Sequence, residues 1–332
     1  MNRIAIVGGG SWGTALSIVL APRYPEIGLW VYEAGLAERM AATRENDIYL
    51  PGFRVPDNVA ITNDLGHALK GADIVIGVMP SHLARDLYQR MLPHLRVNML
   101  LVSAAKGLEN HSLLRVSEII QAVVGTNFPA RVGVISGPTF AREVAAGVPT
   151  ACVIASADAE LAETVQRGFS GPTLRLYTSS DVVGVEIGGA IKNVIAIGAG
   201  LCDGLKLGYN PRAALITRGL AEMTRLATSM GGRVTTLAGL AGLGDLVLTC
   251  TGELSRNRNV GMELAKGRTA SQIASSTPMI AEGIKTTRTA VELGNRYRVD
   301  LPIARQMHLV LDEGKPPEEA IRQLMERSLK EE

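Results

Sequence analysis

The sequence predicts an α/β fold: a doubly wound sheet domain over residues 1–180, followed by an all-α C-terminal domain over residues 181–332. Three observations carry that expectation. Short, almost continuously apolar runs alternate with segments of helical period through the first half, the pattern of parallel strands buried on both faces between crossover helices. A glycine-rich turn, Gly8, Gly10 and Gly13, stands between the first such run and the first helical segment. From about Asp181 onward the strand pattern stops and only helical periodicity continues. The length of 332 residues also favours two domains over one core.

The first strand is residues 4–7, apolar and bounded by glycine. Gly8, Gly10 and Gly13 then spell G-x-G-x-x-G, and Ser11–Leu20 has helical period. Glycines permit a tight turn and a close approach of backbone to a pyrophosphate, which then sits at the positive end of the helix. Alone the motif is weak; between a strand and a helix it has the setting of a Rossmann-type dinucleotide site. A second apolar run, residues 28–32, ends at Glu33, twenty residues beyond Gly13. A carboxylate there accepts hydrogen bonds from a ribose hydroxyl and repels a 2′-phosphate, which favours NAD over NADP. A solvated glutamate at a strand end is the competing reading.

Further strands are expected at Val59–Thr62, 73–78, 99–103, Arg131–Ser136 and 151–155, with helices over 81–92, 113–124 and Ala159–Phe169. Such alternation predicts a parallel sheet with helices on both faces, and ligands then bind at the C-terminal ends of the strands. Pro80-Ser81, Lys106-Gly107 and Gly137-Pro138-Thr139 all fall at such ends. A lysine at a strand end is often plain surface charge, so Lys106 needs further support.

In the second half, helical period is carried by residues 182–202, 212–230, 257–266, 286–297 and 303–311. The first of these lies within Val182–Gly204, almost wholly apolar or glycine but with Lys192 and Asn193 side by side at its middle. A charged amine in so apolar a run is costly unless it has a partner or faces a polar cleft. On a helix it shares a face with Gly188, Gly189, Ala196 and Ala199, residues small enough to admit a backbone, a cofactor or a substrate. The alternatives are a satisfied core charge or a membrane span. In the membrane Glu186 and Lys192 would each cost about 2.5–3.5 kcal/mol, and glycines add no hydrophobicity, so a buried soluble helix is expected.

Two loops stand out. Residues 238–246, AGLAGLGDL, place Asp245 after three glycines, where the backbone can bend tightly. Ser255-Arg256-Asn257-Arg258-Asn259 opens a helix ending near Lys266. A capped helix start with Arg256 and Arg258 is suited to clamp a phosphate, because guanidinium pairs phosphate in a bidentate way. An ordinary capped helix with solvated arginines is the alternative.

Composition narrows the function. With 34 basic and 32 acidic residues the net charge is +2, which gives no reason to expect nucleic acid or a membrane as partner. Cys152, Cys202 and Cys250 lie about fifty residues apart with no C-x-x-C, so reduced, buried thiols in a cytoplasmic protein are expected rather than disulfides or a metal site. The five histidines show no ligand spacing, and no metal is expected. The N-terminal apolar run is broken by Gly8 to Gly10, which argues against a signal peptide.

Together these segments resemble, essentially end to end, the bacterial NAD(P)-dependent glycerol-3-phosphate dehydrogenases. The motifs that carry the resemblance are GGGSWGTA at 8–15, N-x-x-Y-L-P-G at 46–52, SAAKGL at 103–108, ISGPTFA at 135–141, GAIKNVIAIGAG at 189–200, GLGDL at 242–246 and SRN at 255–257. The resemblance implies that Lys192 is the proton donor and acceptor at the substrate oxygen. It implies that Lys106, Gly137, Thr139, Asp245, Ser255, Arg256 and Asn257 surround a small phosphorylated three-carbon substrate, dihydroxyacetone phosphate or sn-glycerol 3-phosphate. Ser11, Trp12, Ala141, Arg256, Ile280 and Glu282 would touch the cofactor, NAD(H) or NADP(H), with Lys106 shared between the two ligands. A homodimer supplying the glycerol phosphate backbone of phospholipids is implied as well. Family members that use NADPH often carry a basic residue just after the second strand, where this chain has Tyr32-Glu33; that departure again leans to NAD. The competing readings are a β-hydroxyacid dehydrogenase or ketopantoate-reductase-like enzyme, whose substrates lack the phosphate that the SRNRN loop suits, and a non-catalytic NAD-sensing protein.

Overall fold

The computed structural model describes residues 2–276 and 281–328. Its ten strands are β1 (Arg3–Val7), β2 (Glu26–Trp30), β3 (Glu45–Asn46), β4 (Leu50–Arg54), β5 (Val59–Thr62), β6 (Ile74–Gly77), β7 (Leu100–Ser103), β8 (Arg131–Ser136), β9 (Thr150–Ala155) and β10 (Leu174–Ser179). Eight of them form one sheet in the order β10-β9-β8-β7-β6-β1-β2-β5, and β3 with β4 makes a separate hairpin. The strand order reverses between β1 and β6, which places a crevice beyond their C-terminal ends. Strand alternation divides the core: Ile4 and Ile6 of β1 pack into one apolar cluster, Ala5 and Val7 into the cluster on the opposite face.

The sheet is not the wholly parallel one that its apolar runs predict. β8 pairs with β9 antiparallel, while β9 and β10 are parallel to each other. The reason lies in the connection. Between β8 and β9 the only helix is Ala141–Ala145, five residues long, a rise of about 7.5 Å. A six-residue strand spans about 20 Å, so this helix cannot return the chain to the start of β8. β10 escapes a search for apolar runs because its residues alternate between buried and exposed. β4 escapes it because it contains Pro51 and Gly52.

Beyond Asp181 no strand occurs among the described residues. The helix Val182–Gly204 starts where the Asp181 carboxylate accepts from the Gly184 N–H at 2.8 Å, an N-cap that satisfies one of the helix's free donors. Nearly all of it is buried, from Gly184 to Cys202, and the largest apolar cluster of the protein is built around it. This helix and residues 234–251 are each apolar enough by length to cross a membrane; the first is 89% buried within the protein. Glu186 on its first turns accepts from the Ser117 N–H at 2.9 Å and from Arg115 at 2.8 Å. Those contacts bind the helix to the start of another, Val116–Val124, in the N-terminal half. Burial nonetheless raises the Glu186 pKa.

Glycines set how closely this helix is approached. A Cβ on Gly200 would lie 1.9 Å from the Arg258 carbonyl oxygen, and one on Gly261 would lie 2.0 Å from that of Ile197. The helices Val182–Gly204 and Arg256–Ala265 therefore cross backbone against backbone. Gly200→Ala forces the two apart, and overpacking of this kind costs about 3 kcal/mol. Its unfolding midpoint is expected several degrees below that of the unaltered protein, and an unchanged midpoint would refute the close crossing.

Candidate active site

The C-terminal ends of β6, β7 and β8 meet the middle of the helix Val182–Gly204. Lys106, three residues past β7, sends its ammonium to the Gly137 carbonyl at 2.7 Å, to Thr139 Oγ1 at 2.9 Å and to Asp245 Oδ2 at 3.0 Å. Gly137 follows β8 with φ +144, a conformation that favours glycine, and a Cβ there would press on Cys152. That turn aims its carbonyl at Lys106. Lys192 is 5% exposed. Its Nζ donates to Asp245 Oδ1 and, at 3.0 Å, to Thr249 Oγ1. The Asp245 carboxylate, 1% exposed, thus lies between two amines.

An ammonium has three protons. All three of Lys106 are engaged, whereas two of Lys192 are. Burial lowers the Lys192 pKa from 10.5 to about 8; Lys106 pushes in the same direction and Asp245 opposes both. Lys192 is therefore a buried amine with one proton uncommitted and a pKa close to neutrality, the combination a proton-transfer group needs.

The glycine-rich segment 238–246 is helical, not an open loop. A π-helical turn, Leu240–Gly244, runs directly into the helix Asp245–Thr251. It is pressed against the small face of the central helix, where a Cβ on Gly188 would meet the Ala241 carbonyl oxygen at 2.5 Å; the end of β8 fills the neighbouring position, since a Cβ on Gly189 would meet Ser136 Oγ at 2.6 Å. The room left by Gly188 and Gly189 is thus filled by protein, rather than reserved for substrate. Because 245–251 is a helix, Thr249 lies one turn beyond Asp245 on the same face. Sequence reasoning missed Thr249, since the i, i+4 relation is legible only once the helix is known.

Asn193 has a bridging place. Its amide donates to the Lys106 carbonyl at 3.0 Å, and its Oδ1 accepts from Asn257 Nδ2 at 2.8 Å. Asn257 in turn accepts from the Gly283 N–H at 2.9 Å. The Asn257 side chain is therefore largely committed to joining three segments. Ser255 caps the helix Arg256–Ala265 by accepting from the Arg258 N–H at 3.2 Å, and its hydroxyl proton remains available to an anion. Arg258 is not part of a clamp. Its Nε is held by Asp203 at 2.6 Å, alongside Arg212 at 2.8 Å. On a helix beginning at Arg256, Arg258 projects about 200° away from Arg256, so the two point to different sides. Arg256 is open to solvent and within electrostatic reach of Glu282.

Glu282 opens the helix Glu282–Tyr297, and its Oε1 accepts from the Ser81 N–H beyond β6 at 3.0 Å. Burial raises its pKa, against the Ser81 N–H and the charges of Arg256, Lys192 and Lys106, which lower it. So the structure gathers Lys106, Gly137, Thr139, Lys192, Asp245, Arg256 and Glu282 at one junction. Ile280 lies outside the described residues.

The glycine turn forms the other wall. A Cβ on Gly8 would lie 2.2 Å from the Val78 carbonyl oxygen, and one on Gly13 would lie 1.8 Å from that of Gly8, while Gly10 has nothing within 4 Å. Gly8 and Gly13 are thus required by the fold. Gly10 fronts open space at the start of the helix Ser11–Leu20, whose first turn no side chain caps. Such a start is a site for an anion, and a pyrophosphate fits it. Trp12 and Ala141 pack in one apolar cluster beside it. Glu33 stands at the end of β2 and accepts from the Tyr49 hydroxyl at 2.8 Å.

Comparison with known proteins covers both halves. Residues 3–162 match the model for the N-terminus of NAD-dependent glycerol-3-phosphate dehydrogenase, and residues 181–322 that for its C-terminus. A glycerol-3-phosphate dehydrogenase [NAD(P)+] of Koribacter versatilis is 56% identical over 329 residues, 98% of each chain. One of Syntrophotalea carbinolica is 51% identical, over 99% of each. Among solved structures, glycerol-3-phosphate dehydrogenase from Coxiella burnetii superposes with a TM-score of 0.94 at 39% identity, covering 98% of this chain and 99% of that one.

Proposed function

The chain belongs to the NAD-dependent glycerol-3-phosphate dehydrogenase family, and from that premise we propose that Lys192 moves the proton at the reacting substrate oxygen. The protein is an oxidoreductase that interconverts dihydroxyacetone phosphate and sn-glycerol 3-phosphate with NAD(H) or NADP(H). Membership over both halves sets aside the ketopantoate-reductase and NAD-sensor readings.

The observation that carries the role of Lys192 is its hydrogen-bond count. Its neighbour Lys106 has every proton engaged, and Lys192 keeps one. The residues at the glycine turn, Gly8, Gly10, Ser11, Trp12 and Gly13, hold the dinucleotide, with Ala141 and Glu282 beside it. When bound, the nicotinamide supplies or accepts the hydride at the substrate carbon. In the reducing direction Lys192 gives its proton to the ketone oxygen as negative charge builds there; in the oxidising direction the neutral amine takes it back. Asp245 keeps both amines in place, and Lys106 adds a positive charge beside the developing oxyanion. Residues 1–180 then act as the dinucleotide-binding unit and 181–332 as the substrate-binding and catalytic unit. We place the enzyme in the cytoplasm as a homodimer, a state that sedimentation analysis would test.

Arg256, with Ser255 at the helix start, binds the substrate phosphate and so fixes the ketone against the coenzyme. Arg256→Ala removes a charge-assisted contact, and KM for dihydroxyacetone phosphate is expected to rise about ten- to a hundredfold, with a smaller change in kcat. Steady-state kinetics with the phosphorylated ketone check this, and an unaltered KM would overturn the clamp.

A further inference from the structure

The segment 45–54 does not belong to the main sheet, yet it is fastened to the glycine turn. Asn46 is fully buried. Its amide donates to the Gly9 carbonyl and to Thr14 Oγ1, both at 2.8 Å, and its Oδ1 accepts from the Tyr49 N–H at 2.9 Å. Tyr49 packs, with Trp12 and Val19, against the apolar cluster that contains Leu16, Val31 and Leu36. Its hydroxyl then reaches across to donate to Glu33 Oε1 at 2.8 Å.

Glu33 and the glycine turn are also joined through β2: the Gly8 N–H donates to the Trp30 carbonyl at 3.1 Å, and Gly9 lies against Val31. The carboxylate is thus set beside the dinucleotide loop from both sides. Arg39, six residues beyond Glu33 in the helix Ala34–Thr43, would be a natural partner for an extra phosphate. Its guanidinium is instead spread over both Asp47 oxygens, at 3.0 and 3.2 Å, and the Gly35 carbonyl. Tyr49 and Asp47 thus come from the same pinned segment.

We propose that Tyr49 is a positioning residue that selects the coenzyme: by holding one Glu33 oxygen, it presents the other to the 2′-hydroxyl of the adenosine ribose and keeps the charge where a 2′-phosphate would fall. The inference rests on Glu33 facing that ribose. An exposed glutamate that is free to rotate could swing away from a 2′-phosphate and would discriminate weakly. A tethered one cannot, because leaving its place breaks the hydrogen bond to the phenol.

Calorimetric dissociation constants for NADH and NADPH, measured on the full-length enzyme with Tyr49→Phe, Glu33→Ala and the double variant, test this. Tyr49→Phe keeps the packed ring and removes only the hydroxyl. It is expected to weaken NADH about three- to tenfold and to narrow the NADH-to-NADPH preference by a similar factor. The loss should appear in KM for NADH more than in kcat. In the Glu33→Ala background the same change is expected to add nothing. If Glu33→Ala narrows the preference and Tyr49→Phe does not, the tether is refuted while the Glu33 reading stands. Equal weakening of both coenzymes by Tyr49→Phe refutes it too, since that marks a merely structural role. A preference unmoved by Glu33→Ala overturns the ribose reading and the tether with it.

Discussion

Lys192→Ala is expected to lower turnover in both directions by about 10³-fold while the dissociation constant for NADH stays nearly unchanged. The amine sits at the middle of a helix packed wall to wall with apolar residues, and alanine there leaves the helix backbone intact. What disappears, on the proposed role, is the proton at the reacting oxygen. Single-turnover kinetics beside NADH titration separate the two effects, and intact turnover would remove Lys192 from the mechanism. The pH profile of the unaltered enzyme gives a second reading of the same group. Reduction needs the protonated amine, so kcat/KM for dihydroxyacetone phosphate is expected to fall as pH rises through about 8. Oxidation of glycerol 3-phosphate needs the neutral amine, so its kcat/KM rises through the same range and levels above it.

Asp245→Asn has the second largest expected effect, because one carboxylate serves two cations, Lys192 buried and Lys106 half-buried. Its oxygens meet Lys192 and Lys106 separately, and it is almost wholly shielded from water. Removing one member of a buried pair costs about 3–5 kcal/mol, since the remaining charge is left without a partner. Here two are left. The unfolding midpoint is expected to drop, and turnover to fall about a hundredfold. The direction of the pH shift is the more specific readout. Asp245 raises the Lys192 pKa against burial and Lys106, so the asparagine variant should lose reducing activity at a lower pH than the unaltered enzyme. A descending limb that stays in place or moves up would show that Asp245 does not act on this amine.

Much of the fold was legible because buried parallel strands leave a continuous apolar mark. β1, β6 and β7 are such strands, and the glycine turn between β1 and its helix announces itself by residue type. β10 was not legible, since an edge strand with one wet face has no apolar run. The reversed direction of β9 was not legible either. It follows from the short rise of one five-residue helix, a property of geometry that no residue pattern marks.

At the site the division is similar. Lys192 was conspicuous as a charge in an apolar run, and Arg256 as a charge at a capped helix start. Asp245 stood out in its glycine-rich stretch and Lys106 at a strand end, but Thr249 did not, because its place four residues beyond Asp245 matters only once the stretch is a helix. Arg258 shows the reverse error. It looked equivalent to Arg256 in the sequence, but helical rotation turns it toward Asp203.

The sequence by itself determined the two-part architecture, the dinucleotide turn and the one amine that burial would perturb, for each depends on local composition or period. Only the tertiary structure decided which amine retains an uncommitted proton, which arginine is tied up by Asp203 and what holds Glu33. Those are matters of direction and distance between segments far apart in the chain. Side-chain hydrogen bonds are short and directional, so their partners are fixed only once the whole chain has packed.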